Sequence, residues 1–199
     1  MGLVCAFAGA LVMTGYTILN ARFRRRGASA AWLGGWIVGG IGMTLMGVGW
    51  GLLAAAGPHV HVPVLQYLGL AVVGAAGCVY VTAAAHVGRL RSRGRYSLDL
   101  HTEGIYRLVR HPQALALCIL VVGVGLATLS RPYIVTLPLW VAFWVAYTHF
   151  EERFELIPAY GHRYERYMRT TNRLVPSFRS LRAVASARRR RPELDLDLP

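Results

Sequence analysis

Long apolar runs are the feature that most limits what this chain of 199 residues can fold into. The first 98 residues contain no carboxylate side chain, and only 16% of the whole chain is charged. A helix of roughly 17–25 apolar residues can cross a bilayer, because it satisfies its own backbone hydrogen bonds. We therefore predict an all-α, polytopic membrane helical bundle of about five transmembrane helices. The predicted spans are 3–21, 31–56, 63–88, 113–130 and 133–150.

The arginines between these runs predict how the bundle is inserted. Every basic residue is arginine, and 21 of the 22 fall in three stretches, 22–26, 89–110 and 153–191, whereas Arg131 lies in another loop. Basic loops stay on the cytoplasmic side of a membrane. We expect the N-terminus outside and the C-terminus in the cytoplasm. The use of arginine with abundant Ala and Gly favours a bacterial source, and hence a bacterial inner membrane.

One domain accounts for nearly all of the chain, since residues 1–180 contain every apolar run. The tail 181–199, which ends in ARRRRPELDLDLP, is charged and poor in aromatic residues. Such a composition cannot bury enough apolar surface to fold, so we expect disorder there. Its arginines would lie against anionic lipid headgroups, and a role in partner docking is the alternative.

Small residues in the second span predict close helix packing. Gly35 and Gly39 are four residues apart, as are Gly47 and Gly51, and this spacing allows two helix backbones to approach each other. Packing within the chain is the favoured interpretation, and a homodimer through this span is the alternative. His59 in GPHVHVP is interpreted as part of an external turn, and we expect no metal site.

The stretch GIYRLVRHP places cations directly before the fourth span. Gly104 ends the preceding segment, and Pro112 suits the first turn of a helix because it has no N–H to leave unpaired. Arg107, Arg110 and His111 then lie beside a helix N-terminus, whose free N–H groups and dipole attract anions. The alternative is that these arginines serve membrane topology alone.

Carboxylates gather where the fifth span ends. Glu151 and Glu152 adjoin the apolar run, and Glu155 follows one helical turn later. Adjacent carboxylates repel each other and lose hydration beside hydrocarbon, so cationic neighbours would stabilise them. The alternative is a surface network of i,i+4 ion pairs with nearby arginines. Beyond them lies an aromatic stripe that would normally pack at the membrane interface, made of Tyr160, Tyr164 and Tyr167.

The two clusters together predict a site with an anion-attracting half and a cation-attracting half. A zwitterionic amino-acid ligand would satisfy both, with its carboxylate at the Arg/His end and its ammonium at the glutamate pair. The residues by themselves do not identify this ligand.

The same motifs carry a resemblance to a known group of enzymes. GIYRLVRHP, followed by two spans and then EERFELIPAYGHRYERYMRTTNRLVP, resembles the isoprenylcysteine carboxyl methyltransferase and phospholipid methyltransferase superfamily over residues 98–178. Residues 1–90 would be its variable three-span part. The resemblance implies S-adenosylmethionine as the methyl donor, bound between the last two spans and the C-terminal segment. It also implies a lipophilic acceptor that enters from the bilayer.

The resemblance assigns roles residue by residue. Arg110 would lie near the acceptor, and with Glu152 it forms the expected catalytic pair. Ala114 stands where relatives usually have tyrosine, so the acceptor is not specified. The expected cofactor-binding residues are Gly104, Tyr106, Arg107, His111, Pro112, Glu151, Glu152, Tyr160, Gly161, Tyr164 and Tyr167.

Two other functions remain open from the sequence. RLVPSF resembles the closing segment of NADPH-dependent membrane sterol and steroid reductases. A non-catalytic membrane protein that retains the fold is the other possibility. The intact Arg-His-Pro and Glu-Glu motifs favour methyl transfer to an isoprenylcysteine-type carboxylate, a phospholipid amine or another hydrophobic small molecule.

Overall fold

All five apolar runs form helices, so the predicted helical bundle is confirmed. The computed structural model describes residues 1–24, 30–92, 100–178 and 180–182. Four of the helices are long and apolar enough to cross a membrane, whereas α4 is shorter at 17 residues. The tail from residue 183 lies outside the described residues. The helices are α1 (Gly2–Arg24), α2 (Ala30–Ala55), α3 (Pro63–Ser92), α4 (Pro112–Thr128) and α5 (Arg131–Glu151).

The bundle consists of two helix pairs joined by α5. Helix α1 packs along α2, and α3 packs along α4, while α5 contacts both α2 and α4. Large side chains from three helices meet in the core: Trp140 of α5 lies 5.9 Å from Trp50 of α2, ring centre to ring centre, and Val121 of α4 is fully buried. Because α5 touches both pairs, it positions the end of α4 relative to α1 and α2.

Backbone contact between α1 and α2 depends on glycines, of which Gly42 and Gly49 lie seven residues apart on α2. A Cβ atom on Gly49 would lie 2.4 Å from the backbone nitrogen of Ala6, and one on Gly9 would lie 2.5 Å from the carbonyl oxygen of Gly42. Any side chain at these positions would overlap with backbone atoms. The absence of side chains therefore allows the two helices to pack at this short distance.

The sequence predicted packing within the chain at other glycines of α2, and for Gly47 and Gly51 that prediction is wrong. A Cβ atom on Gly47 or Gly51 would have no atom within 4 Å among the described residues, whereas one on Gly39 would meet the ring of Tyr16 at 3.3 Å. The surroundings of Gly35 are outside the described residues. A spacing of four residues is compatible with close helix packing, but it does not show which face of α2 meets α1.

At the end of the bundle where α4 is followed by α5, side-chain contacts hold a tight turn against the end of α2. Ser130, between α4 and α5, lies with its Oγ 2.8 Å from the carbonyl oxygen of Leu53 and 2.9 Å from that of Ala56. His59 contacts the carbonyl oxygen of Ala54 through Nε2 at 2.9 Å. These contacts pair side chains with carbonyls at the end of α2, which have no partner within the helix.

Short helical elements form the opposite end, where the sequence motifs lie. A 3-10 helix, Gly104–Arg107, precedes α4, and a π-helical turn, Glu152–Leu156, follows α5. The chain continues into α6 (Ile157–Tyr160) and α7 (His162–Thr170). Pro158 cannot donate a backbone hydrogen bond, and its ring would crowd a regular helical turn before it. The wider π turn occurs just before this proline, and such turns are frequent at functional sites.

The α1–α2 contact predicts a large difference between two otherwise similar substitutions. Gly49→Val should lower the free energy of unfolding by about 1–3 kcal/mol or more, because its side chain collides with the backbone of α1. Gly47→Val, on the open face of the same helix, should change it little. Denaturation in detergent, followed by circular dichroism, measures both values. Equal stability of the two variants would contradict close packing of Gly49 against α1.

Candidate active site

The start of α4 is held by the chain segment that follows α7. The backbone N–H of Arg110 donates to the carbonyl of Asn172 at 2.9 Å, and that of His111 donates to the carbonyl of Arg173 at 3.1 Å. Pro112 begins α4 as predicted from the sequence. Two adjacent backbone hydrogen bonds therefore connect the Arg-His-Pro motif to residues about 60 positions later.

Glu152 is the centre of the site. Its side chain is 3% exposed, and Oε1 accepts hydrogen bonds from Arg110 Nε at 2.9 Å, from His111 Nε2 at 3.0 Å and from the Tyr164 hydroxyl at 3.0 Å. Oε2 accepts from Arg173 Nε at 3.0 Å and Nη2 at 2.6 Å. One carboxylate thus joins the end of α5 to the start of α4, to α7 and to the C-terminal segment.

The burial of this carboxylate requires these partners. A buried charge without counter-charges costs several kcal/mol, and charge-assisted hydrogen bonds offset that cost. The guanidinium of Arg110 also donates through Nη1 to the carbonyl oxygens of Met168 and Thr171. Arg110 is therefore held in one orientation by groups on both sides of it.

Arg173 was not among the sequence candidates. It lies 21 residues after Glu152, beyond α7, and no helical periodicity connects the two. The only signal was its position as the basic residue in the closing segment TTNRLVP. Its pairing with Glu152 shows that the closing segment belongs to the site.

His111 lies between the two adjacent glutamates. Its Nε2 faces Glu152 and its Nδ1 lies 3.2 Å from Oε2 of Glu151, which is about one-third exposed. Burial by itself lowers the pKa of the imidazole, but the hydrogen bonds and negative charges of Glu151 and Glu152 together raise it above the ordinary 6.5. Both ring nitrogens face carboxylates, an arrangement that suits the doubly protonated ring.

A cavity of about 490 Å³ adjoins this cluster. One face of α5 and the turn after it contributes Trp144, Tyr147, Glu151 and Glu155, at intervals of three and four residues. Its lining thus changes from aromatic to acidic towards the end of the helix. The predicted residues that line the cavity are Tyr106, Arg110, His111, Pro112, Glu151, Tyr160, Tyr164 and Tyr167.

Four predicted residues do not line it. Glu152 lies behind the cavity wall, and Arg107 is exposed on the 3-10 helix. Gly104 has φ +59°, and a Cβ there would lie 3.2 Å from the His86 ring. Gly161 joins α6 to α7 with φ +52° and ψ −132°, a conformation that only glycine adopts readily. Both glycines shape the backbone around the site.

The tyrosine stripe faces the site. Tyr164 and Tyr167 of α7 are buried, and the hydroxyl of Tyr167 donates to the carbonyl oxygen of Tyr106. Burial raises the pKa of both phenols, so they remain neutral hydrogen-bond donors. The expectation that this stripe packs at the membrane interface therefore does not hold for Tyr164 and Tyr167, because both side chains are buried.

The first three helices supply cavity residues that the motifs did not reveal. They come from α1, α2 and α3, and they were missed because a uniformly apolar span does not show which face is turned inward. These residues are Met13, Tyr16, Gly39, Gly40, Met43 and Tyr80.

The raised pKa of His111 predicts a pH-dependent stability. Its protonated form contributes stability that is fully present below about pH 6.5, the unfolded-state pKa, and is lost as the pH rises through the higher folded-state pKa. His111→Gln removes this titration. The melting temperature of the wild type should therefore fall more between pH 6.5 and 9 than that of the variant. If the melting temperatures of the wild type and the variant changed equally with pH, His111 would not titrate as its contacts require.

Comparison with known sequences identifies a family for this chain. A sequence model of the phospholipid methyltransferase family matches residues 64–163, half of the chain. No curated protein and no solved structure matches significantly. The matched region includes the Arg-His-Pro motif, α4, α5 and both central glutamates. It follows that the chain belongs to the phospholipid methyltransferase family, and its general activity is methyl transfer at a membrane.

Proposed function

We propose that the protein transfers a methyl group from S-adenosylmethionine to a lipophilic acceptor at the cytoplasmic membrane interface. The observation that carries this proposal is the cavity beside Glu152, which is charged at the end of α5 and apolar deeper in the bundle. A water-borne charged donor and a lipophilic acceptor require those two environments in one site. Membership of the phospholipid methyltransferase family supports the same chemistry.

The residues present fit the charges of this donor. S-adenosylmethionine has an ammonium, a carboxylate and a positively charged sulfonium. Glu151 and Glu155 line the cavity and suit the cationic groups, while Arg110 and His111 provide positive charge for the carboxylate. Aromatic faces also attract cations, and seven tyrosines and Trp144 line the same space.

Glu152 would act by positioning its neighbours. Both of its oxygens are engaged by the chain, so its contribution to donor binding would be to hold Arg110, His111 and Tyr164 in place. Glu151, which faces the cavity, is the better placed of the pair for direct contact with a ligand. Two adjacent glutamates in the sequence did not predict this division of roles between them.

The bound donor would supply a methyl group on a sulfonium, which transfers by in-line displacement. The residues of the chain would hold donor and acceptor in line and exclude water. Arg110 would orient an acceptor carboxylate or phosphate. A carboxylate or thiolate acceptor needs no general base, whereas an amine acceptor must be neutral when it attacks.

Calorimetric titration of the purified protein tests the donor. S-adenosylmethionine should bind, and NADPH should not, because the cavity combines carboxylates and aromatic faces suited to a sulfonium. Binding of NADPH without binding of S-adenosylmethionine would contradict the proposal and favour a reductase.

The central carboxylate provides a second test. Glu152→Gln should weaken donor binding by more than about tenfold, since loss of the negative charge leaves Arg110 and Arg173 poorly compensated. Glu165→Gln is the matched control, because Glu165 is exposed on α7 and its carboxylate lies 2.9 Å from the ring of the neighbouring His162. The melting temperature of both variants shows whether they remain folded.

Glu151→Gln gives a further comparison in the same titration. It leaves the contacts of Glu152 in place and removes from the cavity a charge that also faces His111 Nδ1, so weaker binding in a stable variant would show that Glu151 contributes to donor binding. Unchanged dissociation constants for both glutamate variants would remove this pair from the donor site.

A further inference from the structure

Tyr147 is a cavity residue of α5 whose hydroxyl is held by a helix outside the family region. Its Oη lies 2.8 Å from Oγ1 of Thr17 on α1, and Thr17 precedes the matched residues 64–163. Thr17 is 1% exposed, and its Oγ1 donates to the carbonyl oxygen of Met13 at 3.1 Å. Because a threonine hydroxyl has a single proton, Tyr147 is the donor in the contact between the two hydroxyls.

The ring of Tyr147 is also held by side chains of its own helix. Its centre lies 5.7 Å from the ring centre of Trp144, at an interplanar angle of 79°, and 6.0 Å from that of Phe143. The bond to Thr17 ties the hydroxyl end of the ring to α1. A partly buried hydroxyl that loses its partner is destabilised. Loss of the bond would therefore favour another position of the ring.

The same end of α1 lies at the cavity. Tyr16, which precedes Thr17, lines the cavity, and a Cβ atom on Gly39 of α2 would lie 3.3 Å from its ring. Helix α1 also packs against the π-helical turn Glu152–Leu156 that follows α5. Thr17 itself is not a lining residue. Any effect of Thr17 on a bound ligand must therefore act through the residues that it contacts.

Tyr147 lies close to Glu151 on the cavity side of α5. The two residues are four positions apart, so they share one helix face and are separated by about 6 Å along its axis. In S-adenosylmethionine a short carbon chain separates the ammonium from the sulfonium. A donor whose ammonium binds at Glu151 can thus present its sulfonium to Tyr147, and an aromatic face attracts a cation.

We propose that Thr17 is a positioning residue for the methyl donor, because its hydroxyl holds the Tyr147 ring where it favours a sulfonium over a neutral thioether. Methyl transfer breaks the sulfur–methyl bond, whose electron pair stays on sulfur, and forms a bond between the acceptor and the methyl carbon. The positive charge on sulfur is thereby lost. The held ring favours the charged donor over the neutral product. This inference rests on the proposed methyltransferase function.

Calorimetric titration with two ligands tests Thr17 without requiring turnover. The ligands are S-adenosylmethionine and S-adenosylhomocysteine, which differ in the methyl group and the positive charge on sulfur. Thr17→Val removes the hydroxyl and keeps the branched shape of the side chain. It should weaken binding of S-adenosylmethionine by about two- to tenfold, the value of one cation–aromatic contact, and leave that of S-adenosylhomocysteine nearly unchanged. Thr17→Ser, which keeps the hydroxyl, should restore the wild-type ratio of the two dissociation constants.

Thr14→Val is the matched control on the same helix. The Thr14 hydroxyl donates to the carbonyl oxygen of Ala10 at 2.9 Å, and Thr14 does not line the cavity that the described residues form. This variant should keep the wild-type ratio of dissociation constants. An equal loss of affinity for both ligands in Thr17→Val, or the same change of ratio in Thr14→Val, would show a general structural effect and overturn the inference.

Tyr147→Phe tests the other side of the hydrogen bond, and it removes only one oxygen atom from the protein. It should change the ratio of dissociation constants as Thr17→Val does. The double variant should be no weaker than either single variant, because all three lose the same contact. Additive losses would exclude the bond between Thr17 and Tyr147 as their cause.

The outcomes separate this inference from the proposed function. If the wild type binds S-adenosylmethionine but Thr17→Val and Tyr147→Phe leave the ratio unchanged, the inference fails alone. If the wild type does not bind S-adenosylmethionine, the proposed function fails and the inference fails with it.

Discussion

The buried carboxylate of Glu152 is the interaction on which the rest of the site depends. It accepts hydrogen bonds from Arg110, His111, Tyr164 and Arg173, which belong to three different parts of the chain. Removal of one member of a buried ion pair typically costs about 3–5 kcal/mol, because the remaining charge has no compensation. The position of the charged end of the cavity therefore follows from this one group.

The same arrangement changes how the two predicted halves of the site are understood. From the sequence, the cations before α4 were expected to bind the carboxylate of a zwitterion, and the glutamates after α5 were expected to bind its ammonium. In the structure they pair with each other through Glu152, while Glu151, Arg110 and His111 still reach the cavity. A ligand would thus enter a nearly neutral, preorganised set of charges, which avoids the cost of reorganising them on binding.

Local signals predicted local features well. Pro112 marked the start of α4, and five apolar runs became five helices with boundaries within a few residues of those expected. Most of the predicted motif residues line one cavity. The choice of helix face was less predictable. Gly47 and Gly51 had the right spacing for packing but face open space, because a span that is apolar all around has no sequence signal for orientation.

The sequence by itself determined the fold class and the chemistry of the site's motifs, since apolar length, proline position and charge act over one or two helical turns. Tertiary structure decided which of two adjacent glutamates is buried, that Arg173 completes the cluster, and that α1 and α2 form a wall of the cavity. These features depend on contacts between residues far apart in the chain. Their geometry arises only when all five helices pack together, and no short-range pattern encodes it.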